Sequence, residues 1–245
     1  MIRTLLVLAA LLAGSTPAVA GPEIVGGQVD TDVHPWIVAL QTEENQEAGT
    51  HYCAGELITA EWVLTAAHCV DSSTVDDTAR VGSNNRAVNG TVVGISQAVP
   101  HPSYDENTGH NDIALIRLAR PVTQAPVAMA AGSAWEGVTL RVLGWGQTCP
   151  THGCDQGSNL LRRVDNAVLS QPQCRADGIN LDPASELCLD SRDGRTACFG
   201  DSGGPALSNG QVVGIVSRGG PSCGATDTIA IRVQAYADWI RQTIG

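Results

Sequence analysis

The stretch CFGDSGGPAL, residues 198–207, concentrates an acid, a hydroxyl and several glycines in one short segment. Asp201 stands directly before Ser202, and three glycines flank the pair: Gly200, Gly203 and Gly204. Because glycine adopts backbone conformations that a Cβ forbids, the segment predicts a sharp turn. A serine hydroxyl is a weak nucleophile at neutral pH, so a nucleophilic Ser202 requires a base within hydrogen-bond reach.

Two further motifs supply candidates for the base that Ser202 needs and for a carboxylate that orients this base. TAAHC, residues 65–69, contains His68, and HNDIALIRL, residues 110–118, contains Asp112. Read alone, His68 is compatible with a core histidine, Asp112 with a local cap, and Ser202 with a turn residue. Together the three provide a base, a carboxylate that orients it and a nucleophile, in the chain order His, Asp, Ser. The combination favours nucleophilic catalysis.

Short runs that favour β-strands, separated by turn signals, dominate the rest of the chain. They are WIVAL (36–40), ELITAEWVLTAA (56–67), TVVGIS (91–96), IALIRL (113–118), VTLRVLGWG (138–146) and QVVGIVS (211–217). Asn89-Gly90 and Asn209-Gly210 are candidate hairpin turns. The terminal VQAYADWIRQTIG has apolar residues at helical spacing and predicts a helix. Many short strands at this spacing indicate a β-barrel or β-sandwich.

The three motifs, with IVGG at Ile24, resemble those of the chymotrypsin- and trypsin-type serine peptidases across essentially the whole mature chain. The resemblance implies an all-β fold of two six-stranded antiparallel β-barrels, with the active site between them and a C-terminal α-helix. It implies a peptidase domain over 24–245, with a first barrel over about 24–121, a second over about 122–232 and the helix over about 233–245.

The resemblance also implies roles for the motif residues. His68 and Asp112 come from the first barrel and Ser202 from the second. His68 takes the Ser202 proton and later gives it to the leaving amine, while Asp112 fixes the imidazole tautomer. The backbone N–H groups of Gly200 and Ser202 form the oxyanion hole, in which one donor contributes about 2.7–4 kcal/mol to lowering the barrier.

Asp201 has a different implied role, which connects it to the start of the mature chain. GPE-IVGG resembles the activation junction of the family, so residues 21–23 form a short propeptide and Ile24 becomes the new N-terminus. The Ile24 ammonium then pairs with Asp201 and orders the oxyanion loop. Glu23 precedes the junction where Lys or Arg is usual. We therefore expect cleavage after Glu or before Ile rather than activation by a trypsin-like enzyme.

The resemblance implies pairings for the cysteines. Cys53 pairs with Cys69 beside His68, while Cys174–Cys188 and Cys198–Cys223 brace the second barrel and the specificity pocket. Cys149 and Cys154 remain as a small local loop that departs from the common family set. Each bridge typically stabilises a fold by about 2–4 kcal/mol.

The base of the implied specificity pocket carries no acid. Thr196 lies six residues before Ser202, where trypsin-like members have an aspartate, and Ala197 follows it. Thr228, in TDTIAIRV, resembles the pocket wall of elastase-type members. We therefore expect an uncharged residue at P1, the substrate residue whose carbonyl is attacked.

Two charged residues leave alternatives to that expectation. Ser217-Arg218-Gly219 stands where the family has the Ser-Trp-Gly segment that binds substrate backbone. Gly219 leaves the pocket mouth open, and Arg218 in place of the aromatic favours an acidic P1 if it reaches the substrate. Asp227 favours a basic P1 if its carboxylate points into the pocket.

Composition and the N-terminus restrict the location and partners. The net charge is −11, which disfavours nucleic-acid binding because phosphates are repelled. Residues 1–20 combine Arg3, an apolar run and Ala18-Val19-Ala20, the pattern of a cleaved secretory signal peptide. No later run is apolar enough to cross a membrane. The eight cysteines are then expected to form disulfides in a secreted, extracellular protein, and their scatter disfavours a metal cluster.

Three functions are compatible with parts of this sequence. The first is a secreted serine endopeptidase made as a zymogen, acting as a monomer on polypeptides, open to protein protease inhibitors and needing neither cofactor nor metal. The second is a catalytically inactive member of the same family that acts as a binding protein. The third is a serine esterase of another fold. Such an esterase has GxSxG at the nucleophile and a different chain order of the triad, whereas Ser202 lies in GDSGGP and follows His68 and Asp112.

Overall fold

The computed structural model describes residues 24–42, 51–132, 134–175 and 181–245. The predicted signal peptide, residues 1–20, and the predicted propeptide, residues 21–23, lie outside the described residues. Among the described residues, no helix combines the length and hydropathy needed to span a bilayer.

Two closed antiparallel β-barrels of six strands each form the body of the molecule, and a C-terminal helix follows them. This confirms the fold class predicted from the sequence. The first barrel runs in the order β2-β3-β4-β7-β6-β5. Its strands, in chain order from β2 to β7, are Ile37–Gln41, Cys53–Leu57, Trp62–Thr65, Thr78–Val81, Thr91–Pro100 and Ala114–Leu118.

The second barrel runs in the order β8-β9-β10-β13-β12-β11 and closes through pairing of β11 with β8. From β8 to β13 the strands are Thr139–Gly144, Arg162–Leu169, Glu186–Leu189, Pro205–Ser208, Gln211–Arg218 and Thr228–Arg232. The short β1, Gln28–Val29, pairs with β9. The chain just after Ile24 therefore lies on the second barrel, although most of the following hundred residues build the first.

Alternating burial shows why these segments form barrel strands. In β9, Val164, Asn166 and Val168 are buried while the residues between them are partly exposed, which is the period of two expected for a half-buried strand. The expected run 56–67 divides into the hairpin of β3 and β4. Its turn is stabilised by the Thr59 hydroxyl, which accepts hydrogen bonds from the backbone N–H groups of Glu61 and Trp62.

The two Asn-Gly pairs both adopt left-handed backbone angles. Asn209 and Gly210 form a two-residue hairpin between β11 and β12, since Ser208 pairs with Gln211. Asn89 and Gly90 instead end a longer connection between β5 and β6. Asparagine and glycine tolerate this conformation better than other residues.

The C-terminal segment begins with a 3₁₀ turn, Val233–Tyr236, and continues as α1, Ala237–Ile244. Ile240 is wholly buried and packs into the larger hydrophobic cluster, which contains the interior of the first barrel. The Tyr236 hydroxyl donates to Asn111 Oδ1 at 3.0 Å. The C-terminus is thereby attached beside the segment that carries Asp112.

Candidate active site

His68 and Asp112 form a close pair on the first barrel. His68 lies in the 3₁₀ turn Ala67–Cys69, just after β4, and Asp112 lies shortly before β7. His68 Nδ1 is 2.7 Å from Asp112 Oδ2, and the His68 backbone N–H donates to Asp112 Oδ1 at 2.8 Å. The His68 side chain is 34% exposed, whereas Asp112 is 3% exposed. The carboxylate thus orients an imidazole whose other edge can meet a substrate.

Ser217 completes the surroundings of Asp112 from the second barrel. Its hydroxyl donates to Asp112 Oδ2 at 2.6 Å. Burial raises the pKa of Asp112, but the hydrogen bonds from His68 and Ser217 outweigh burial, and the net pKa is below the ordinary value. Asp112 is therefore ionised at neutral pH. Sequence reasoning had given Ser217 only a substrate-binding role, and no local signal indicated its bond to Asp112.

Ser202 lies where the two barrels meet, in the turn before β11. The Ala54 backbone N–H donates to the Ser202 carbonyl at 2.8 Å, which joins this turn to β3. A Cβ on Gly203 would lie 2.2 Å from Thr65 Oγ1, so glycine is required for the close approach. Ser202 and His68 line one cavity of about 280 Å³. No Ser202–His68 hydrogen bond occurs among the described residues, and such bonds often tighten only when substrate is bound.

Gly200 and Asp201 shape the turn on the other side of Ser202. Gly200 has φ +93°, a conformation that residues with a Cβ rarely adopt. The buried Asp201 carboxylate accepts backbone hydrogen bonds from Gly146 at 2.7 Å and Cys198 at 2.8 Å. A Cβ on Gly144 would lie 2.0 Å from Asp201 Oδ1. The motif LGWG, residues 143–146, thus leaves the space that the carboxylate occupies.

The pKa of Asp201 is raised to about 6. Burial is the main cause, and the bonds from Cys198 and Gly146 oppose it. Since an ionised carboxylate in an apolar interior is costly, this position favours a nearby cation. Ile24 is wholly buried in the second-barrel cluster that also contains Leu140 and Val142. Glu23 lies outside the described residues, and the pairing of Ile24 with Asp201 stays a prediction.

The cavity at Ser202 is lined by all six predicted substrate-binding residues: Thr196, Ala197, Ser217, Arg218, Gly219 and Thr228. Hydroxyls form its base. Thr196 Oγ1 lies 2.8 Å from Thr228 Oγ1 and accepts a hydrogen bond from Ser191 at 2.9 Å. Sequence reasoning missed Thr226, whose buried hydroxyl lines the cavity and has no hydrogen-bond partner among the described residues.

The two charged residues that left P1 open are both paired elsewhere. Arg218 Nη2 contacts Glu186 Oε2 at 2.8 Å, and its Nη1 donates to the Gly109 carbonyl at 3.0 Å. Asp227 accepts hydrogen bonds from the Arg175 guanidinium at 2.8 Å and the Ser191 backbone at 3.0 Å. Burial raises the pKa of Asp227, but the bonds from Arg175 and Ser191 outweigh it and lower the net pKa. Glu186 and Arg175 had not been singled out in the sequence.

Disulfides brace the loops of the site. Cys53–Cys69 joins β3 to the His68 turn, and Cys198–Cys223 links two walls of the cavity. The other bridges are Cys174–Cys188 and Cys149–Cys154. Three of these bridges are the pairs expected from the resemblance, and Cys149–Cys154 joins the two cysteines that remained.

Comparison with known proteins agrees with this architecture. The family model described as Trypsin matches residues 24–240. Serine protease 1 of Rattus norvegicus is 35% identical over 233 residues, covering 91% of this chain and 90% of that protein. Cationic trypsin-3 of Rattus norvegicus is 34% identical with the same coverage, and trypsin 5G1 of Aedes aegypti is 32% identical, covering 91% and 85%. The chain therefore belongs to the trypsin family of serine endopeptidases.

Proposed function

We propose that this endopeptidase cleaves peptide bonds through a covalent acyl-enzyme at Ser202, with His68 as the base and Asp112 as its orienting carboxylate. The observation that carries the proposal is the 2.7 Å contact of His68 Nδ1 with Asp112, on the same cavity as Ser202. An ionised Asp112 accepts the Nδ1–H, so the neutral imidazole presents Nε2 as the proton acceptor.

The first half of the reaction forms the acyl-enzyme. Ser202 Oγ bonds to the substrate carbonyl carbon as His68 Nε2 takes the hydroxyl proton, and the carbonyl oxygen becomes an oxyanion. The N–H groups of Gly200 and Ser202 stabilise that charge. The C–N bond then breaks, and the proton on Nε2 passes to the leaving amine. Water repeats the sequence in the second half, releasing the acid and restoring Ser202.

The enzyme is made as a secreted zymogen that becomes active on cleavage between Glu23 and Ile24. Support comes from Asp201, which lies between Gly200 and Ser202 in the turn 200–202, the oxyanion turn. Its carboxylate is buried and has no ion-pair partner among the described residues. The Ile24 ammonium supplies that partner after cleavage. The Ile24 side chain is already buried in the hydrophobic cluster of the second barrel. The four disulfides and the N-terminal signal pattern support secretion.

The P1 residue of the substrate is uncharged. The cavity base presents the hydroxyls of Thr196 and Thr228, while Asp227 and Arg218 are bonded to other groups. A substrate Arg or Glu entering this cavity loses its hydration without meeting an opposite charge. A Cβ added at Gly219 would meet nothing within 4 Å, so the space beside Gly219 at the cavity wall is open.

Labelling with an active-site-directed fluorophosphonate tests the proposal against its alternative, an inactive binding protein. The protein cleaved at Glu23-Ile24 should react stoichiometrically at Ser202, as read by mass spectrometry of the labelled peptide. The Ser202→Ala variant is the matched control and should remain unlabelled. Correctly folded, cleaved protein that takes up no label would support the inactive alternative.

A further inference from the structure

A buried arginine outside the triad is connected to the oxyanion turn through His51. Arg86 lies in the connection between β5 and β6 and is only 5% exposed. Its Nε donates to Asn159 Oδ1 at 3.1 Å, and its Nη2 donates to the Gln156 carbonyl at 2.6 Å. Its Nη1 contacts His51 Nδ1. No carboxylate of a described residue forms a hydrogen bond or ion pair with this guanidinium.

The second ring nitrogen of His51 reaches the oxyanion turn. His51 Nε2 lies 3.0 Å from the carbonyl oxygen of Gly200, whose N–H is a proposed donor to the oxyanion. A guanidinium only donates hydrogen bonds, and a carbonyl oxygen only accepts them. A neutral imidazole between these two groups satisfies both only when its proton is on Nε2. Arg86 therefore selects the tautomer that can hold the Gly200 carbonyl.

The charge states agree with this geometry. Burial, followed by the charge of Arg86, lowers the pKa of His51 to about 3. Burial lowers the pKa of Arg86 to about 10, with Asp155 and Asp201 opposing. Arg86 is therefore protonated and His51 neutral across the range in which a serine peptidase works.

We propose that Arg86 is a positioning residue for the oxyanion hole: it fixes His51 as the Nε2–H tautomer, which in turn holds the peptide unit after Gly200. Without Arg86, the Nδ1–H tautomer becomes accessible. It would place an Nε2 lone pair against the Gly200 carbonyl oxygen, and repulsion would favour rotation of that unit. The inference rests on the proposed oxyanion hole, but its first test does not require activity.

The first test is ¹⁵N NMR of the imidazole nitrogens in the unsubstituted protein, with the His51 signals assigned by their loss in a His51→Gln variant. We expect the Nε2–H tautomer with unprotonated Nδ1, unchanged between pH 5 and 9. An Nδ1–H tautomer, or an imidazole that titrates in this range, would overturn the proposal whether or not Ser202 is the nucleophile.

The second test measures kcat and KM of the cleaved Arg86→Met enzyme on one peptide substrate. Because one oxyanion donor contributes about 10²–10³ to kcat, partial misplacement should lower kcat by roughly tenfold or more. KM should stay within about twofold, and affinity for a peptide boronate should fall together with kcat. Arg86→Lys retains a donor for Nδ1 and should recover part of kcat.

Arg80→Met is the matched control, because Arg80 is also a buried arginine of the first barrel. Its Nε donates to Gln41 and its Nη1 to the Asn89 carbonyl, and none of the hydrogen bonds between described residues joins Arg80 to His51. This variant should lose stability without the selective fall in kcat. A folded Arg86→Met enzyme with kcat within twofold of the parent would refute the proposal, as would an equal kcat loss in Arg80→Met. If Arg86→Met does not fold, the tautomer measurement decides.

Discussion

Arg175 and Asp227 form an ion pair, 2.8 Å from Nη2 to Oδ1, which occupies the carboxylate that directly precedes the cavity residue Thr228. The Asp227 side chain is fully buried, and its other oxygen accepts the Arg175 backbone N–H at 2.7 Å. Asp227 is not part of the cavity wall at Ser202. Its place directly before Thr228 in the sequence therefore does not bring its carboxylate into the wall of that cavity.

This arrangement predicts the order of P1 preferences. Matched peptides with Leu or Phe at P1 should have kcat/KM at least about tenfold above those with Arg or Glu, because a buried unpaired charge costs several kcal/mol. Kinetics on the four peptides measure this. A preference for Arg that disappears in Asp227→Asn, or a preference for Glu that disappears in Arg218→Trp, would contradict it.

Thr196→Asp provides the converse test of the pocket base. Thr196 is 1% exposed and lies at the hydroxyl cluster with Thr228. A carboxylate there should raise kcat/KM for the Arg peptide relative to the Leu peptide, since it supplies the missing partner. Thr196→Val, which keeps the shape without the charge, is the control and should leave the Arg peptide a poor substrate.

The proposed nucleophile gives the largest expected effect. Ser202→Ala should reduce kcat by about 10⁶, which corresponds to roughly 8 kcal/mol of barrier. The measurement is turnover of the preferred peptide by purified, cleaved protein, with circular dichroism to verify the fold. More than a few per cent of parental activity in a preparation free of contaminating peptidase would exclude Ser202 as the nucleophile.

Activation should depend on the terminal amine of Ile24. Protein that begins before Ile24 should be nearly inactive, and activity should appear together with the new N-terminus. Asp201→Asn should abolish activity in the cleaved protein without unfolding it, because the Ile24 ammonium loses its charged partner. N-terminal sequencing of the active species measures this. An active enzyme that still carries Gly21-Pro22-Glu23 would show that no such coupling exists.

The raised pKa of Asp201 predicts a pH-dependent stability of the uncleaved chain. The native carboxyl keeps its proton up to about pH 6, whereas in the unfolded chain Asp201 loses it near its ordinary pKa of 3.8. The contribution of the Asp201 carboxyl to the free energy of unfolding is therefore fully present below pH 3.8. It is lost as the pH rises through 6. At about 1.4 kcal/mol per pKa unit, the loss is roughly 3 kcal/mol.

Denaturant unfolding at several pH values between 3.5 and 7 measures this effect. Uncleaved Ser202→Ala protein, which cannot process itself, is the reference, and the same protein with Asp201→Asn is the comparison. The difference in unfolding free energy should shift in favour of the Asn variant by roughly 3 kcal/mol as pH rises through the window. A difference that stays constant with pH would mean that Asp201 is already ionised or already paired.

Glu56 predicts a second and separate pH effect. Its side chain is fully buried in β3, and neither carboxyl oxygen has a hydrogen-bond partner among the described residues. Burial raises its pKa well above the ordinary value, so the contribution to stability present at low pH is lost as pH rises. Glu56→Met removes both buried oxygens while keeping a side chain of similar length. This variant should stabilise the protein by about 1–3 kcal/mol at pH 8. A lower Tm of this variant at pH 8 would contradict the prediction.

The sequence alone was sufficient for the features that depend on local pattern. The short β-favouring runs, the Asn209-Gly210 hairpin and the motifs around His68, Asp112 and Ser202 are all encoded within a few consecutive residues. The strand Arg162–Leu169 was missed, because its arginines, Asp165 and Asn166 obscure the alternation of apolar and polar residues in the sequence. The all-β class and the family followed from the local patterns because turn residues and motif spacing act at short range.

The tertiary structure alone decided where the charged and hydroxylic side chains point. Arg218 finds Glu186 32 residues away, Asp227 finds Arg175 52 residues away, and Ser217 finds Asp112 105 residues away. His51 reaches Gly200 across 149 positions. Such partners become neighbours only when each barrel closes and the two barrels pack together, and burial makes an unpaired polar group costly. Each of these side chains therefore takes its direction from a group that no local stretch of sequence specifies.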